Sequence, residues 1–215
     1  MLSTSSETLT TAADFFRKNN YYVLREALDH DSIQVVSQYA ELQRKNNEPY
    51  FYDEGRQYSG RYGDLVTESI LLQLQSIMSE ITGCDLYPAF SFLRVYKKGD
   101  ALHKHVDRNA SEFAVTMTIA KPGEEVWPIY VESLGKEVEV LLNPGEILLY
   151  KGREMVHWRH KLEMDYWTQA MFFFVDSKGS FKDHLFDKRN EIGEMKNMGD
   201  LRFKMHYLRG LMATK

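Results

Sequence analysis

The 215 residues, 43% of them hydrophobic, are enough to bury one sizeable core, so the sequence predicts a single domain without a linker. A formal net charge of −4, with acidic and basic residues interspersed, disfavours a nucleic-acid substrate. Cys84 is the only cysteine and no apolar run approaches the length of a membrane span, so we expect no disulfide framework, no membrane contact and a cytoplasmic location.

The first predicted helix follows a Ser/Thr-rich start. Residues 1 to about 12 are expected to be frayed or to lead into a helix. Asp31 is then expected to cap a helix that runs to about Arg44. The apolar stripe of this helix, which should pack on the rest of the domain, consists of Ile33, Val36, Tyr39, Ala40 and Leu42.

Residues 49–62 mix aromatic rings, glycines and charges between two helical patterns. Loops on a rigid scaffold often supply binding groups, and aromatic rings with polar tips suit the rim of a pocket. The segment is interpreted either as a pocket lid or as a loop pinned by its aromatic side chains, and both alternatives stay open. These side chains are Tyr50, Phe51, Tyr52, Tyr58 and Tyr62.

The second predicted helix has a signal at each end. Asp64 can cap a helix that begins at residue 65, and Gly83 can stop it after residue 82. Its apolar positions, which should lie against a sheet, are Ile70, Leu71, Leu74, Ile77, Met78 and Ile81.

From Tyr87 onward the hydrophobic pattern changes to a period of two, which is typical of strands. Strands are predicted over 87–97, 112–119 and 146–152, around Val140, and over the apolar run 171–175, which should be buried on both faces. About eight such strands would form a rolled antiparallel sheet. The charged tail from Ser177 is expected to be irregular, then helical, outside the sheet.

Two histidines and one aspartate form the most informative pattern. His105 and Asp107 are two residues apart, so on an extended segment both side chains point to one face. His157 follows 50 residues after Asp107, behind a predicted strand and turn, and a rolled sheet would bring it to the same place. Two imidazoles and one carboxylate can hold one face of an octahedral metal and leave three positions open. Such a set is typical of non-haem Fe(II) oxygenases.

Other histidines compete for these roles. His103 shares the face of His105, and two histidines so close resemble the metal motif of the cupin proteins. Those proteins place a glutamate four or five residues after the second histidine, where this chain has Asn109 and Ala110. His160 would face the opposite side of its strand from His157. The remaining histidines, expected at the surface, are His30, His184 and His206.

Nine short segments between residues 87 and 176 carry a family pattern. They are 92–96, 99–100, 105–108, Glu112, 127–129, 144–146, 150–152, 157–159 and Gln169. Together they resemble the Fe(II)/2-oxoglutarate-dependent dioxygenases, above all the small single-domain, hydroxylase-type members. The resemblance implies a mainly β fold with flanking α-helices, a double-stranded β-helix of the jelly-roll, cupin-like kind. It also implies a helical N-terminal part (1–86), a β-helix core (87–176) and a C-terminal tail (177–215) that packs on the core.

The resemblance also implies a chemistry. Fe(II) would be held by His105, Asp107 and His157, with 2-oxoglutarate and O2 at the open positions. The expected outcome is hydroxylation of a C–H bond in a small molecule or a peptidyl side chain, with release of succinate and CO2. Desaturation or ring closure would need only a different substrate pose, whereas halogenation is disfavoured because Asp107 occupies the place of a halide.

The residue that anchors 2-oxoglutarate departs from the family pattern. Many members carry a basic residue roughly ten positions after the distal histidine, but residues 166–169 of this chain contain no cation. Arg159 is the predicted replacement, because it lies two residues after His157 and an arginine fork suits a carboxylate. Arg94 and Lys161 are the alternatives.

Three further residues take auxiliary roles in this interpretation. Tyr96 resembles the tyrosine that binds the co-substrate in prolyl-hydroxylase-like members, although a packed core tyrosine would give the same pattern. Arg108 and Glu112 are expected either to steady the metal ligands or to contact substrate. The alternative to an enzyme is a non-catalytic, cupin-like metal-binding or structural protein.

Overall fold

The computed structural model describes residues 6–45 and 59–193. Its three helices are α1 (Ser6–Asn19), α2 (His30–Lys45) and α3 (Leu65–Thr82). The predicted ends of α3 are confirmed. The Asp64 carboxylate accepts hydrogen bonds from the N–H groups at the start of the helix, and Gly83 ends it in the left-handed conformation with a φ of 70°.

The structure changes two helix predictions: α1 is longer than expected, and the buried stripe of α2 has fewer residues than expected. Residues 6–19 form a complete helix, because Ala12 and Phe16, one turn apart, are both buried in the core. α2 begins one residue before Asp31, since the Asp29 carboxylate accepts a hydrogen bond from the backbone N–H of Ser32. Leu42 is 66% exposed and was wrongly assigned to the buried stripe of this helix.

Ten strands lie within the described residues, two more than the eight predicted. The two additional ones, β1 and β2, come from the N-terminal part that was expected to be helical. In chain order they are β1 (Tyr21–Leu24), β2 (Ser59–Tyr62), β3 (Leu86–Lys97), β4 (Leu102–His105), β5 (Phe113–Ala120), β6 (Ile129–Ser133), β7 (Lys136–Val140), β8 (Ile147–Tyr150), β9 (His157–Arg159) and β10 (Tyr166–Asp176).

The strands form two antiparallel sheets. The larger sheet has the order β1-β8-β5-β10-β3-β2, and the smaller has the order β4-β9-β6-β7. Successive residues along a strand point to opposite faces, so each sheet has an inner and an outer side chain set. This arrangement is the double-stranded β-helix that the sequence predicted.

Side chains of opposite faces pack into different cores. Val115 and Phe172 lie on the outer face of the larger sheet and pack with the apolar stripes of all three helices. Ala114 and Leu148 lie on its inner face and pack with Val131 of the smaller sheet. The interior between the two sheets is therefore lined by residues that alternate with those of the helix-covered core.

Residues 181–193, here called the C-terminal strap, cross the larger sheet after β10. Lys182–Lys188 form 3-10 turns on either side of a kink, because Leu185, Phe186 and Asp187 have non-helical φ and ψ angles. The predicted irregular tail is confirmed as far as residue 193, and its helical continuation lies outside the described residues, as do residues 49–58 of the aromatic loop. In the described ranges no helix is both long and apolar enough to span a membrane.

Candidate active site

Three potential metal ligands meet at the β4–β9 pair. His105 ends β4, His157 begins β9, and the two residues are directly opposite in the antiparallel register. Asp107 follows β4, and the exposed Val106 between them points away. One ligand atom from each of the three residues lies within 4.8 Å of the others. The Asp107 Oδ1 atom is 3.7 Å from His105 Nε2 and 3.8 Å from His157 Nε2.

The backbone fixes the orientation of both imidazole rings. The Nδ1 atom of His105 lies 2.7 Å from the carbonyl oxygen of His103, and Nδ1 of His157 lies 3.1 Å from that of Met155. A carbonyl can only accept, so each Nδ1 carries the proton and each Nε2 is unprotonated, with the lone pair that a metal can bind. Burial, followed by the nearby His105, lowers the pKa of His157 to about 4, so this ring is neutral at neutral pH.

The Asp107 carboxylate lies in surroundings that disfavour its negative charge. Burial raises its pKa to about 7, against a smaller lowering by the cation of Arg108. Its Oδ2 atom has no hydrogen-bond partner among the described residues. A Cβ at Gly152 would lie 2.6 Å from Oδ2, so the glycine leaves the room that the carboxylate occupies. A largely buried carboxylate with an unpaired oxygen, beside two unprotonated imidazole nitrogens, fits a divalent cation.

The remaining histidines lie away from this cluster. His103 is exposed and offers only its carbonyl group. His160 is exposed, and its ring lies 4.8 Å from that of Tyr130. His30 is exposed as predicted, whereas His184 is half-buried in the C-terminal strap, and His206 lies outside the described residues.

Arg159 lies in the interior on the same strand as His157. Its guanidinium stacks over Trp127, with 4.7 Å from Cζ to the ring centre, and over Trp167, with 5.5 Å. Tyr96 and Leu162 pack with these two rings. Arg159 and the four side chains that pack around it are together called the Arg159 chamber below.

The Arg159 cation is only partly satisfied. Its Nη1 donates to the carbonyl of Trp127, but Nε and Nη2 have no partner among the described residues although the residue is only 2% exposed. Burial lowers the pKa of Arg159 to about 10. Nε and Nη2 form the side-on edge of a guanidinium, the edge that binds a carboxylate through two parallel hydrogen bonds.

The alternatives for the anchor lie elsewhere. Arg94 is half-buried and stacks over Phe92 and Tyr96, with its Nη1 3.5 Å from the Tyr96 hydroxyl. Lys161 is exposed, on the loop after β9. Of the three basic residues considered from the sequence, Arg159 is the one enclosed in the interior.

The C-terminal strap is anchored next to Asp107. Arg108 donates two hydrogen bonds of 2.8 Å to the buried carboxylate of Asp187, which also accepts one from the Tyr62 hydroxyl. Sequence reasoning missed Asp187, because 79 residues separate it from Arg108. Glu112 is not part of this network, since its carboxylate accepts a hydrogen bond from the backbone N–H of Asp176.

Sequence reasoning also missed the environment of Tyr150. Its hydroxyl lies 3.3 Å from Nε2 of His157, and the two ring centres are 4.8 Å apart. The signal was present, because Tyr150 shares the inner face of its strand with Leu148, two residues before.

Comparison with known proteins supports the fold. No protein-family model and no curated protein matches the sequence. Among solved structures, the non-haem α-ketoglutarate-dependent epimerase SnoN from nogalamycin biosynthesis is similar, with a TM-score of 0.69 and 14% identity over 87% of this chain and 93% of that one. A prolyl-4-hydroxylase from Pseudomonas putida gives a TM-score of 0.63 and 12% identity over 77% of this chain and 97% of that one.

EctD from S. alaskensis, solved with 2-oxoglutarate and 5-hydroxyectoine, gives a TM-score of 0.64 and 14% identity over 87% of this chain and 85% of that one. At such low identity the likeness defines the fold and not the reaction. The chain has the double-stranded β-helix fold of the 2-oxoglutarate- and iron-dependent oxygenases.

Proposed function

We propose that the protein is a non-haem Fe(II)- and 2-oxoglutarate-dependent oxygenase. The observation that carries the proposal is the cluster of His105, Asp107 and His157, whose ligand atoms lie within 4.8 Å of one another with both Nε2 atoms unprotonated. The fold supports it, since similar structures include an α-ketoglutarate-dependent epimerase and one solved with 2-oxoglutarate.

The iron would be held by Nε2 of each histidine and by the Asp107 carboxylate. Bound iron together with 2-oxoglutarate supplies the activation of O2 that no protein side chain can provide. The chain contributes a rigid ligand set, because both rings are fixed through Nδ1 and the backbone N–H of Asp107 donates to the carbonyl of Gly152 at 2.8 Å. Such a set leaves positions open for the co-substrate and O2.

The distal carboxylate of 2-oxoglutarate would bind the side-on edge of Arg159. This assignment gives the two unpaired nitrogens their partners and neutralises a buried cation. Tyr96 packs on Trp127 at the border of the same chamber and is a second candidate for contact with the co-substrate. Arg94 keeps an auxiliary role near the Tyr96 hydroxyl.

The prime substrate would approach from the side of His105, whose side chain is 38% exposed while that of His157 is 3% exposed. Hydroxylation of an unactivated C–H bond in a small molecule or a peptidyl side chain, with release of succinate and CO2, is the proposed outcome. A cytoplasmic location, expected from the single cysteine, stays a prediction.

The test is co-substrate turnover by the purified protein. Loaded with Fe(II), it should consume O2 and release succinate only when 2-oxoglutarate is present, and His105→Ala, Asp107→Ala and His157→Ala should each abolish both the turnover and Mn(II) binding. His103→Ala is the matched control and should retain both. A protein that binds one metal per chain but neither binds nor turns over 2-oxoglutarate would instead be a cupin-like metal-binding protein.

A further inference from the structure

The Tyr150 hydroxyl occupies the place next to the metal-facing nitrogen of His157. Tyr150 lies on β8 and is 3% exposed, and its hydroxyl is 3.3 Å from Nε2. Since Nδ1 of His157 donates to the Met155 carbonyl, Nε2 is an acceptor and the phenol is the donor. In the described part of the chain, His157 is the partner of this hydroxyl.

A metal and Tyr150 cannot use the same nitrogen at the same time. Nε2 has a single lone pair, so coordination of a metal ends the hydrogen bond from Tyr150. A buried hydroxyl without an acceptor costs free energy, and the ring is held in place by its packing with Ala114, Val131 and Leu148. The hydroxyl therefore needs another acceptor close to the metal.

The metal would bring bound water to its open positions, and the oxygens of the co-substrate that displaces this water are the stronger acceptors. We propose that Tyr150 is a co-substrate-binding residue, whose hydroxyl moves from His157 Nε2 to a carboxylate oxygen of the metal-chelating 2-oxo acid. The inference rests on the proposed function and adds a recognition element that the sequence pattern did not assign. Tyr150 would hold the end of the 2-oxo acid that chelates the metal, and Arg159 would hold the opposite end.

This assignment makes opposite predictions for the two binding steps. Tyr150→Phe keeps the ring and removes only the donor. Mn(II) affinity without co-substrate should be unchanged or raised a few-fold, because no hydroxyl competes for Nε2. The affinity of the Mn(II)-loaded protein for 2-oxoglutarate should fall about tenfold to a hundredfold, as expected for a lost hydrogen bond to a charged group.

The experiment is anaerobic calorimetry of metal binding followed by 2-oxoglutarate binding, with the visible absorption of the Fe(II)–2-oxoglutarate chelate as a second readout. Tyr130→Phe is the matched control, because it removes a hydroxyl that is bonded to Glu139 on the smaller sheet, and it should change neither step. Thermal unfolding of the metal-free variants checks that both fold. The absorption band of the chelate should shift in Tyr150→Phe and not in Tyr130→Phe.

Two outcomes would overturn the inference. A loss of Mn(II) affinity with unchanged 2-oxoglutarate affinity would assign Tyr150 to the orientation of His157. No change in either step would mean that the hydroxyl has no part in binding. Failure of the proposed function gives a different result, since the Mn(II)-loaded wild-type protein would then not bind 2-oxoglutarate at all.

Discussion

Two buried arginines lie in regions that differ in one respect: the chain supplies an acidic partner for Arg189 but none, among the described residues, for Arg159. Arg189 of the C-terminal strap pairs with the Glu68 carboxylate of α3 at 2.6 Å, and both side chains are 2% exposed. It also donates to the carbonyls of Phe186 and Ala89. Arg159 is equally buried, but it has one hydrogen bond, to Trp127, and no acidic partner among the described residues.

The contrast separates a cation that holds the fold together from one that is suited to a ligand. A buried charge is tolerated when it is paired and hydrogen-bonded, and an unpaired one costs free energy. In the strap, the Glu68 carboxylate offsets the cost of the buried Arg189 cation. The Arg159 chamber contains no carboxylate, and an anion from outside the chain can supply the missing partner.

Removal of the paired cation, Arg189, should have the largest effect on the free energy of unfolding. Arg189→Met leaves the buried Glu68 carboxylate without its partner, so the free energy of unfolding should fall by about 3–5 kcal/mol. Urea denaturation followed by circular dichroism measures it. Glu68→Gln combined with Arg189→Met should recover part of the loss, and a single variant as stable as the wild type would contradict the assignment of this pair.

The same substitution at Arg159, which has no acidic partner among the described residues, should give the opposite effect on stability. Arg159→Met removes an unpaired buried charge, so the stability of the ligand-free protein should be unchanged or raised. Binding of 2-oxoglutarate to the Mn(II)-loaded protein should lose about 2–5 kcal/mol, because the side-on fork is gone. Arg159→Lys should not restore the binding, since a point charge lacks the paired geometry. Unchanged affinity in Arg159→Met would direct attention to Arg94.

A smaller effect is expected from filling the space beside Asp107. The Cβ of Gly152→Ala would meet the backbone carbonyl oxygen of Ser111 as well as the Asp107 carboxylate, and the shift that relieves these contacts should displace Asp107 from the two histidines. Mn(II) affinity should fall about 10- to 100-fold, the usual size for changes around metal ligands. Gly123→Ala is the control for the cost of a side chain alone, because its Cβ would meet nothing within 4 Å; the φ of Gly123 is +61°, whereas that of Gly152 is not in the positive region. Equal metal affinity in the two variants would refute the argument.

The pH dependence of metal binding should be the smallest of these effects. Asp107 must lose its proton to bind a metal, and its pKa in the metal-free protein is raised to about 7. The Asp107 proton should therefore lower Mn(II) affinity by up to about tenfold per pH unit below pH 7, which is about 1.4 kcal/mol per unit. His157 adds little, because its pKa is lowered to about 4. Calorimetry between pH 5 and 8 that gives a flat profile would contradict the raised pKa.

Local patterns carried much of the fold. The caps of α3 were read from Asp64 and Gly83 because capping depends on residues within a few positions of the helix end. The period of two identified β3, the uninterrupted apolar run 171–175 identified part of β10, and the two-residue spacing placed His105 and Asp107 on one side of the chain. These features follow from backbone geometry that each segment possesses by itself.

What depended on distant contacts was not predictable. The bidentate contact of Arg108 with Asp187 joins residues 79 positions apart, and the bridge between Glu68 and Arg189 spans 121. β1 and β2 are short strands that form because the larger sheet offers edges to pair with. The unpaired edge of Arg159 could be seen only once its surroundings were known, because the sequence records a cation but not the absence of its partner.

The position of β4 gives the metal ligands a second significance. β4 has four residues and lies at the edge of the smaller sheet, where β9 is its single neighbouring strand. A metal held by His105 and His157 would bridge this edge strand to its neighbour. Removal of the metal by a chelator should then loosen this edge strand before the interior of the sheets. Hydrogen exchange should accelerate first at residues 102–105. The ion would therefore stabilise the edge of the double-stranded β-helix in addition to its role in the reaction.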